Sequence, residues 1–407
     1  MSTTIAATPP PLRGDAVFIG LVALAHGISH FSQLLLPPLF PWLKEAFGVS
    51  YAELGLLLTI FFVVSCAVQA AAGFVVDRFG PVPVLFGGLS LLGVAALGFA
   101  AAQSWWMLAL FAVVAGVGNG VFHPVDYTLL NRKVAQKRLG HAYSAHGISG
   151  SLGWALAPAM LVPLTLAFSW RIALLAAAAL AFSVMLLLWW RRADLALDKP
   201  VTAKVAVVET DPLGFLRIPA VWMCFAFFLF YAAALSVVQT FAPEAARQLH
   251  AVPVHLAAIC LTVYMVCSAA GMVIGGFLAS DPARCERVVG AGFGLAALIA
   301  LTIGFVPVPG LLVPVLFGLM GLVTGTAGPS RDLLVKRSAP DNATGRVYGV
   351  VYSGLDIGQA LAPLLVGPLM DQGRFSAVWG VLVLVQGVLI VSAFNVGRVR
   401  RVALARA

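Results

Sequence analysis

The fold is decided by Gly153-Trp-Ala-Leu-Ala-Pro158, a stretch that recurs 205 residues later as Gly358-Gln-Ala-Leu-Ala-Pro363. At this offset, residues 116–164 and 321–369 are identical at 14 of 49 positions, and the matches include four glycines and three prolines. An apolar composition explains matches of leucine and alanine, but it does not place glycines and prolines in register. The chain is therefore predicted to contain two copies of one unit.

The composition indicates what this unit is. The 407 residues are 61% hydrophobic and 10% charged, whereas a soluble domain carries about 25% charged residues. A helix crosses a bilayer with about 20 apolar residues, and the sequence contains twelve such runs. We predict an all-α membrane protein whose twelve transmembrane helices form two pseudo-symmetric six-helix bundles. The predicted spans are 16–42, 53–76, 83–102, 105–129, 142–167, 170–190, 218–242, 254–279, 287–306, 309–334, 346–370 and 375–396.

These spans also predict the domain organisation. The copies are six helices apart, an even number, so both cross the membrane in the same direction. Such a parallel repeat suits a cavity between two halves that opens to either side in turn. The predicted parts are an N-terminal tail 1–15, a bundle 16–190, a linker 191–217, a bundle 218–396 and a C-terminal tail 397–407.

The basic residues predict the orientation. Of the 25 lysines and arginines, 20 lie in the tails, the linker and alternate loops. The opposite loops hold four, Lys44, Arg171, Arg247 and Arg374, and Arg331 lies within a helix. This asymmetry places both termini and the linker in the cytoplasm. The net charge of +9 is thus a signal of topology at the inner membrane, and no nucleic-acid partner is expected.

The sequence lacks the common motifs of hydrolytic enzymes, nucleotide-binding proteins and cysteine-based metal sites. The sequence contains no GxSxG, HExxH or nucleotide-binding GxxxxGK[ST] motif, and its five cysteines form no CxxC pair. We therefore expect no cofactor and no metal, and a membrane-embedded enzyme is a remote alternative. The first apolar run is too long for a cleavable signal peptide. The expectation is a monomer in the lipid bilayer that moves a small-molecule substrate, with protons as the energy source.

Polar residues near the centre of a span are candidates for the site, because a charge there costs about 2.5–3.5 kcal/mol on insertion scales. His26, His30 and Gln33 have i, i+4, i+7 spacing, which puts them on one face of the first span. They are interpreted as a cavity-lining stripe in which a histidine carries the proton. Hydrogen bonding to neighbouring helices is the alternative. The HxxxH spacing also permits zinc, although Gly27 replaces the glutamate of zinc-protease helices.

In the second half, Asp356 falls near the middle of its span, with Tyr352 and Gln359 on the same face. A single carboxylate at this depth suits proton coupling, and a neutral or paired structural aspartate is the alternative. Tyr231 is the offset partner of His26, and Tyr264 could supply another hydroxyl. Packing between helices is the alternative for both tyrosines.

The fourth span supplies Asn119, His123 and Asp126, and His146 lies near the start of the fifth. Asp126 is the offset partner of Arg331, so opposite charges occupy equivalent positions in the two copies. The hypothesis is a pair between the halves, or two parts of a cytoplasmic gate. In the alternative, Asp126 meets Arg132 or Lys133 at the surface, and Arg331 pairs with Asp332.

Two sets of residues carry a family resemblance. The first resembles the GxxxDRxG loop of the major facilitator superfamily and reads Gly73-Phe-Val-Val-Asp77-Arg78-Phe-Gly80. This resemblance implies a cytoplasmic gating role for Asp77 and Arg78. A degenerate copy of the motif lies at Ser280–Arg284 in the second half. His26, Gln33 and the triplet Phe122-His123-Pro124 resemble the fosmidomycin-resistance type of exporter.

This narrower resemblance implies transport by alternating access and proton-coupled efflux of a small amphiphilic or anionic compound. Uptake or exchange of a small organic acid or sugar is the alternative.

Overall fold

The computed structural model describes residues 12–135, 138–197, 217–278, 285–338 and 344–404, and every regular element within them is helical. The α-helices are α1 Leu12–Gln33, α2 Phe40–Phe47, α3 Tyr51–Phe79, α4 Pro81–Ala101, α5 Trp105–Asn119, α6 Phe122–Lys133, α7 Leu139–Ala167, α8 Trp170–Trp190, α9 Arg192–Leu195, α10 Pro219–Thr240, α11 Ala242–His250, α12 Val254–Leu278, α13 Cys285–Phe305, α14 Val313–Ser338, α15 Thr344–Asp371 and α16 Phe375–Leu404.

Twelve segments of these helices are long and apolar enough to cross a membrane. The predicted fold class, an all-α membrane protein with twelve spans in two bundles, is confirmed. Several ends differ from the prediction, since α1 begins at Leu12 and α16 continues to Leu404. Most of the predicted linker, 198–216, and the degenerate motif Ser280–Arg284 lie outside the described residues.

The repeated glycines have the same packing role in both halves. A methyl group on Gly153 of α7 would overlap the carbonyl oxygen of Gly27 in α1, and one on Gly358 of α15 would overlap that of Leu229 in α10. The backbones of these helix pairs are therefore in direct contact, which is the usual reason for small residues at membrane helix interfaces.

Two spans are interrupted. The first ends as a regular helix at Gln33, ahead of Pro37-Pro38, and resumes in α2. The fourth breaks at Gly120-Val121, within four residues of Pro124, and resumes in α6. A proline lacks the N–H that would bond to the preceding turn. Pro329, the repeat counterpart of Pro124, nevertheless lies inside the continuous helix α14. The break in the fourth span therefore distinguishes the two halves.

The outer surface is apolar. Large side chains such as Phe74, Trp106 and Phe277 are more than three-quarters exposed. In water such an exposed apolar surface would mark an interaction site. Around a bundle of membrane spans, it is the surface that meets lipid.

The halves make contact on the face opposite the start of α1 and the end of α16, which we call the far face. Here the backbone N–H groups of Tyr51 and Ala52 donate to the two carboxylate oxygens of Asp371, at 2.7 and 2.9 Å. The carboxylate thus caps the N-terminus of α3 in the other half, where the helix dipole favours negative charge. We call these two hydrogen bonds the far-face latch. Deeper in the bundle, Thr59 donates to the carbonyl oxygen of Ala360 at 2.7 Å.

Candidate functional site

Four histidines surround one carboxylate inside the N-terminal half. His26 and His30 come from α1, His123 and Asp126 from α6, and His146 from α7. We call these five residues the histidine cluster. Asp126 is completely buried, and His26 and His146 are 2% and 4% exposed. The sequence predicted all five as candidates on three different spans, and the structure brings them together.

Asp126 is the centre of the histidine cluster. Its Oδ2 atom lies 3.1 Å from Nδ1 of His26 and 3.1 Å from Nε2 of His146. Its other oxygen, Oδ1, is buried and has no hydrogen-bond partner among the described residues. A buried carboxylate is stable only when its charge is compensated or it is protonated. The arrangement can therefore hold a proton on a histidine or on Asp126.

The remaining rings pack around this centre. The rings of His26 and His146 are stacked, with centroids 3.5 Å apart. His30 lies 4.3 Å from the ring of His26 and also 4.3 Å from that of Trp154. The centroid of His123 is 5.4 Å from that of His26. Neither Nδ1 of His30 nor Nδ1 of His123 has a hydrogen-bond partner in the part of the chain that is described.

A glycine makes room for these rings. A methyl group on Gly150 of α7 would lie 2.7 Å from the imidazole of His30 and 3.1 Å from Nε2 of His26. Any side chain at this position would therefore displace the histidines of α1. Together with the contact of Gly153 and Gly27, Gly150 lets α7 approach α1 closely enough for His146 to stack on His26.

The spacing of the cluster bears on metal binding. One ligand atom from each of His26, His123 and His146 lies within 4.8 Å of the others. Tetrahedral zinc, with bonds of about 2.0–2.1 Å to nitrogen, requires ligand atoms about 3.3 Å apart. The three rings would have to move inward to hold such an ion. As arranged, the cluster is a hydrogen-bonded set of proton-binding groups.

A second network extends from the cluster toward the far face. Asn119 accepts hydrogen bonds from Ser29 at 2.9 Å and Gln33 at 3.1 Å, and it donates to Ser65 at 2.8 Å. Gln33 in turn accepts from the indole N–H of Trp154 at 3.0 Å. The predictions included Gln33 and Asn119 but missed both serines and Trp154, because serine and tryptophan are common in apolar helices without a polar role.

The two charged offset partners, Asp126 and Arg331, do not meet in this conformation. Asp126 contacts histidines of its own half, and the guanidinium carbon of Arg331 lies 4.2 Å from the ring centroid of Tyr231. Asp126 does not contact Arg132 or Lys133 at the surface either, and the side chain of Asp332, the alternative partner of Arg331, lies outside the described residues. Arg132 lies 4.0 Å from Asp77, and Lys133 donates to the carbonyl oxygens of Asp194 and Ala196.

The other candidates in the second half have different partners. Tyr264 is buried, and its hydroxyl group is 3.0 Å from that of Thr324. Along α15, Asp356 accepts from Gln69 of the other half at 3.3 Å, whereas Gln359 donates to Gln239 of its own half at 3.3 Å. The ring of Tyr352 lies 5.2 Å from that of Phe228. The predicted common face of α15 thus contacts two different helices, α3 and α10.

The predicted gate loop lies at the end of α3. Asp77 is exposed and forms the contact with Arg132 of α6, within the same half. The guanidinium group of Arg78 lies over the ring of Phe79, 5.4 Å from its centroid. Both side chains are thus placed at the face that carries the termini.

Comparisons with known proteins agree with this architecture. The model of the Major Facilitator Superfamily matches residues 22–251 and 223–405. The fosmidomycin resistance protein of Escherichia coli K12 is 25% identical over 303 residues, 72% of each chain. The probable sulfoacetate transporter SauU of Cupriavidus necator is 25% identical over 171 residues, 42% of this chain and 40% of that protein.

Among solved structures, a bacterial homologue of the human lysosomal transporter Spinster, in an inward-facing and occupied conformation, has the same fold. It aligns with a TM-score of 0.77 and 15% identity over 96% of this chain and 98% of that one. This family consists of multi-pass membrane transporters of small molecules rather than enzymes. Because the family model matches nearly the whole chain, the protein belongs to the major facilitator superfamily.

Proposed function

We propose that this transporter exports a small amphiphilic or anionic compound in exchange for protons, by alternating access. It acts as a monomer in the inner membrane with both termini in the cytoplasm and needs no cofactor. The observation that carries the proposal is the completely buried Asp126, shared at 3.1 Å by His26 and His146. Ionisable groups at membrane depth are rare and mark ion pathways by default.

The surroundings of Asp126 support a role in proton coupling. The titratable groups that face it are His26 and His30 from α1, His123 from α6 and His146 from α7. The imidazoles can share a proton with the carboxylate, and the charge of the group then changes by one as a proton enters or leaves. A buried site of this kind suits a carrier that must bind protons on one side and release them on the other.

A second proton site is proposed at Asp356. Its contact with Gln69 at 3.3 Å crosses between the halves, so protonation there would act directly on the packing of α15 against α3. The tyrosines at positions 231, 264 and 352, with Gln359, are proposed to line the substrate path in the second half. Asp77 and Arg78 are proposed as parts of the gate at the face of the termini.

The direction of transport rests on similarity. The most extensive match to a curated relative described above is to a protein named for resistance to fosmidomycin, and resistance by a transporter follows from export. The sequence also shares with that type His26, Gln33 and the Phe122-His123-Pro124 triplet. Fosmidomycin is therefore the first compound to test.

The test is transport of fosmidomycin into inside-out vesicles with an imposed pH gradient, acid inside. Wild-type protein should accumulate the compound until the gradient is collapsed. Asp126→Asn keeps the shape of the side chain but removes its charge, and it should abolish the gradient-driven component. Asp194→Asn, which alters an exposed aspartate beside Arg191, is the matched control and should transport normally.

Three results would contradict the proposal. Gradient-driven flux that survives in Asp126→Asn would remove the cluster from the coupling mechanism. Flux that requires the opposite gradient would reverse the direction. The similarity to a probable sulfoacetate transporter favours uptake of a small organic acid as the second candidate, and a preference for sulfoacetate over fosmidomycin would support it.

A further inference from the structure

A stack of aromatic rings leads from the histidine cluster toward the face where α1 begins and α16 ends, which we call the near face. Tyr127 of α6 and Tyr143 of α7 each lie about one helical turn from a histidine of the cluster, His123 and His146 respectively. The ring centroid of Tyr127 lies 6.1 Å from that of His123, 5.4 Å from that of His146 and 5.6 Å from that of Tyr143. Tyr127 thus joins the cluster to Tyr143.

The outer end of this stack lies at the near face. Arg138, in the connection between α6 and α7, donates to Asp15 at the start of α1 at 2.6 Å, which places the end of α6 and the start of α7 there. The hydroxyl group of Tyr143 donates to Oδ1 of Asn131 at 2.7 Å, and both residues are exposed. The neighbouring Arg132 is charged and half exposed, so this surface meets water rather than lipid.

Exposure rises in order along the stack. Asp126 is completely buried and His146 is 4% exposed, whereas Tyr127 is half-buried and Tyr143 is 37% exposed. Side chains of a helix lean toward its N-terminus. Because α6 runs toward the near face and α7 runs away from it, Tyr127 leans toward His123 and Tyr143 leans toward the surface, in agreement with their contacts. Tyr127 therefore lies between the buried carboxylate and the exposed end of the stack.

On its other side the cluster is covered by buried residues. Ser29, Gln33 and Asn119, which continue from it toward the far face, are 2%, 9% and 7% exposed. Leu36 and Leu57, which adjoin Gln33, are 4% and 0% exposed. In this conformation the cluster is therefore more accessible from the near face than from the far face.

A proton that crosses a buried region needs groups that both accept and donate. A phenol meets this requirement, because its oxygen accepts a hydrogen bond while its O–H donates one. A neutral imidazole does the same with its two nitrogens. Phenylalanine has nearly the same shape as tyrosine and can do neither. The hydroxyl group of Tyr127 is thus the feature that a ring packed for shape alone would not need.

We propose that Tyr127 relays protons between the histidine cluster and the near face. Its hydroxyl oxygen accepts the proton of an imidazolium N–H of His123 or His146 while its own O–H proton passes to water. One N–H and one O–H bond break, two O–H bonds form, and the tyrosine is left neutral. The reverse sequence loads the cluster. This inference rests on the proposed function and assigns the route of its protons at the near face.

A relay changes rates and leaves equilibria unchanged. It lowers the barrier to proton transfer in both directions, so loss of the hydroxyl group must slow loading and unloading of the cluster by the same factor. The pH at which the cluster is half protonated must stay the same. A tyrosine that only supports the packing of the histidines would instead shift this midpoint when it is replaced.

The measurement is a rapid pH jump on purified protein, followed by tryptophan fluorescence. The ring of Trp154 lies 4.3 Å from that of His30, and a protonated imidazole quenches tryptophan emission more strongly than a neutral one. Trp154→Phe identifies the part of the signal that comes from this contact. Jumps to acid and to alkaline pH give the rates of loading and unloading, and their amplitudes give the midpoint.

Two matched variants test the relay. Tyr127→Phe keeps the ring, and both relaxations should slow at least about tenfold, because a positioned proton-transfer group contributes about 10²–10⁴-fold to a rate and water entering its place restores part of that. Tyr143→Phe makes the same substitution at the exposed end of the stack and should relax as the wild type does. Monodisperse elution in gel filtration and an unchanged amplitude of the Trp154 signal check that each variant retains its cluster.

The inference is overturned if Tyr127→Phe relaxes as fast as the wild type, if only one direction slows, or if Tyr143→Phe slows as much as Tyr127→Phe. Fosmidomycin export by wild-type vesicles tests the proposed function separately. Export together with unchanged relaxation of Tyr127→Phe would refute only the relay. Relaxation that slows as expected, without export of any compound, would refute the proposed function and leave the relay in place.

Discussion

The two halves use the same pair of positions for different chemistry. In the first half, His26 contacts Asp126 at 3.1 Å. The positions 205 residues later hold Tyr231 and Arg331 instead of a histidine and an aspartate. The guanidinium carbon of Arg331 lies 4.2 Å from the ring centroid of Tyr231. The repeat has preserved which positions touch while exchanging a proton-binding pair for a cation–π contact.

The comparison extends to the surroundings. Around Asp126, the positions of His123 and His146 are polar, whereas the equivalent residues of the second half are Gly328 and Val351. Only the first half therefore has a cluster of titratable side chains at this level in the described part of the chain. Duplicated architecture does not imply duplicated function, and the buried carboxylate surrounded by histidines belongs to the first half.

The largest effect on transport is expected from replacing His26, which has a tyrosine as its counterpart in the second half. His26→Asn retains an amide N–H that can donate to Asp126 but cannot carry a proton. We expect the loss of pH-driven flux by about two orders of magnitude, because a titratable group at membrane depth is required for coupling. Tyr231→Phe is the matched variant in the second half and should keep most of the coupled flux. Flux measurements in vesicles check both, and equal losses would refute the assignment of coupling to the first half.

A second prediction concerns the packing that the halves share. Gly153→Val and Gly358→Val should both destabilise the protein, since each new side chain overlaps a backbone carbonyl group. Overpacking costs about 1–3 kcal/mol or more, and the melting temperature should fall in both variants. Gly147→Val on α7, where nothing lies within 4 Å, is the control. A lower melting temperature in only one of the two variants would show that the packing of the two halves is not equivalent.

A smaller effect is expected at the far-face latch, which is also one-sided. The repeat partner of Asp371 is Leu166, so the first half has no carboxylate at the equivalent position. Asp371→Asn should open the far face about tenfold more often, since a hydrogen bond to a charged group contributes about 1.5–3 kcal/mol. Spin labels at Glu45 and His255 would report the distance between the halves. Leu166→Ala should leave the distances unchanged, and an unchanged distribution in Asp371→Asn would refute the latch.

The smallest expected effect is that of metal removal. The ligand atoms of His26, His123 and His146 are up to 4.8 Å apart, wider than zinc requires. Washing vesicles with a chelator should leave pH-driven flux unchanged. Loss of flux that zinc restores, and that other divalent ions do not, would show that the cluster closes around a metal ion.

The sequence was sufficient for the fold and for much of the cluster. Glycines and prolines in register identified the repeat, because such residues are placed by backbone geometry. The helical spacing of His26, His30 and Gln33 placed them on one face. His26 and Gln33 form hydrogen bonds with neighbouring helices, and the ring of His30 lies 4.3 Å from that of Trp154 in α7.

The partners were beyond reach of the sequence, since depth along a helix does not reveal its rotation against a neighbour. Asp126 was therefore assigned to Arg331 or to the surface, and it lies among histidines. His146 was a candidate for the cavity lining or the gate with no partner assigned, and it stacks on His26 at 3.5 Å. The 205-residue offset relates the two contacts. If His26 and Asp126 touch, their partners Tyr231 and Arg331 should touch as well.

The location of the cluster within one half has a kinetic consequence. All five residues belong to one half, so we expect the proposed rocking of the halves to leave their mutual distances unchanged. The hydrogen bond between Gln69 and Asp356 spans the halves, so in the proposed alternating-access mechanism it breaks in every turnover. Measurements at the two places therefore report two different quantities. The cluster reports proton occupancy, and the Gln69–Asp356 contact reports the frequency of rocking.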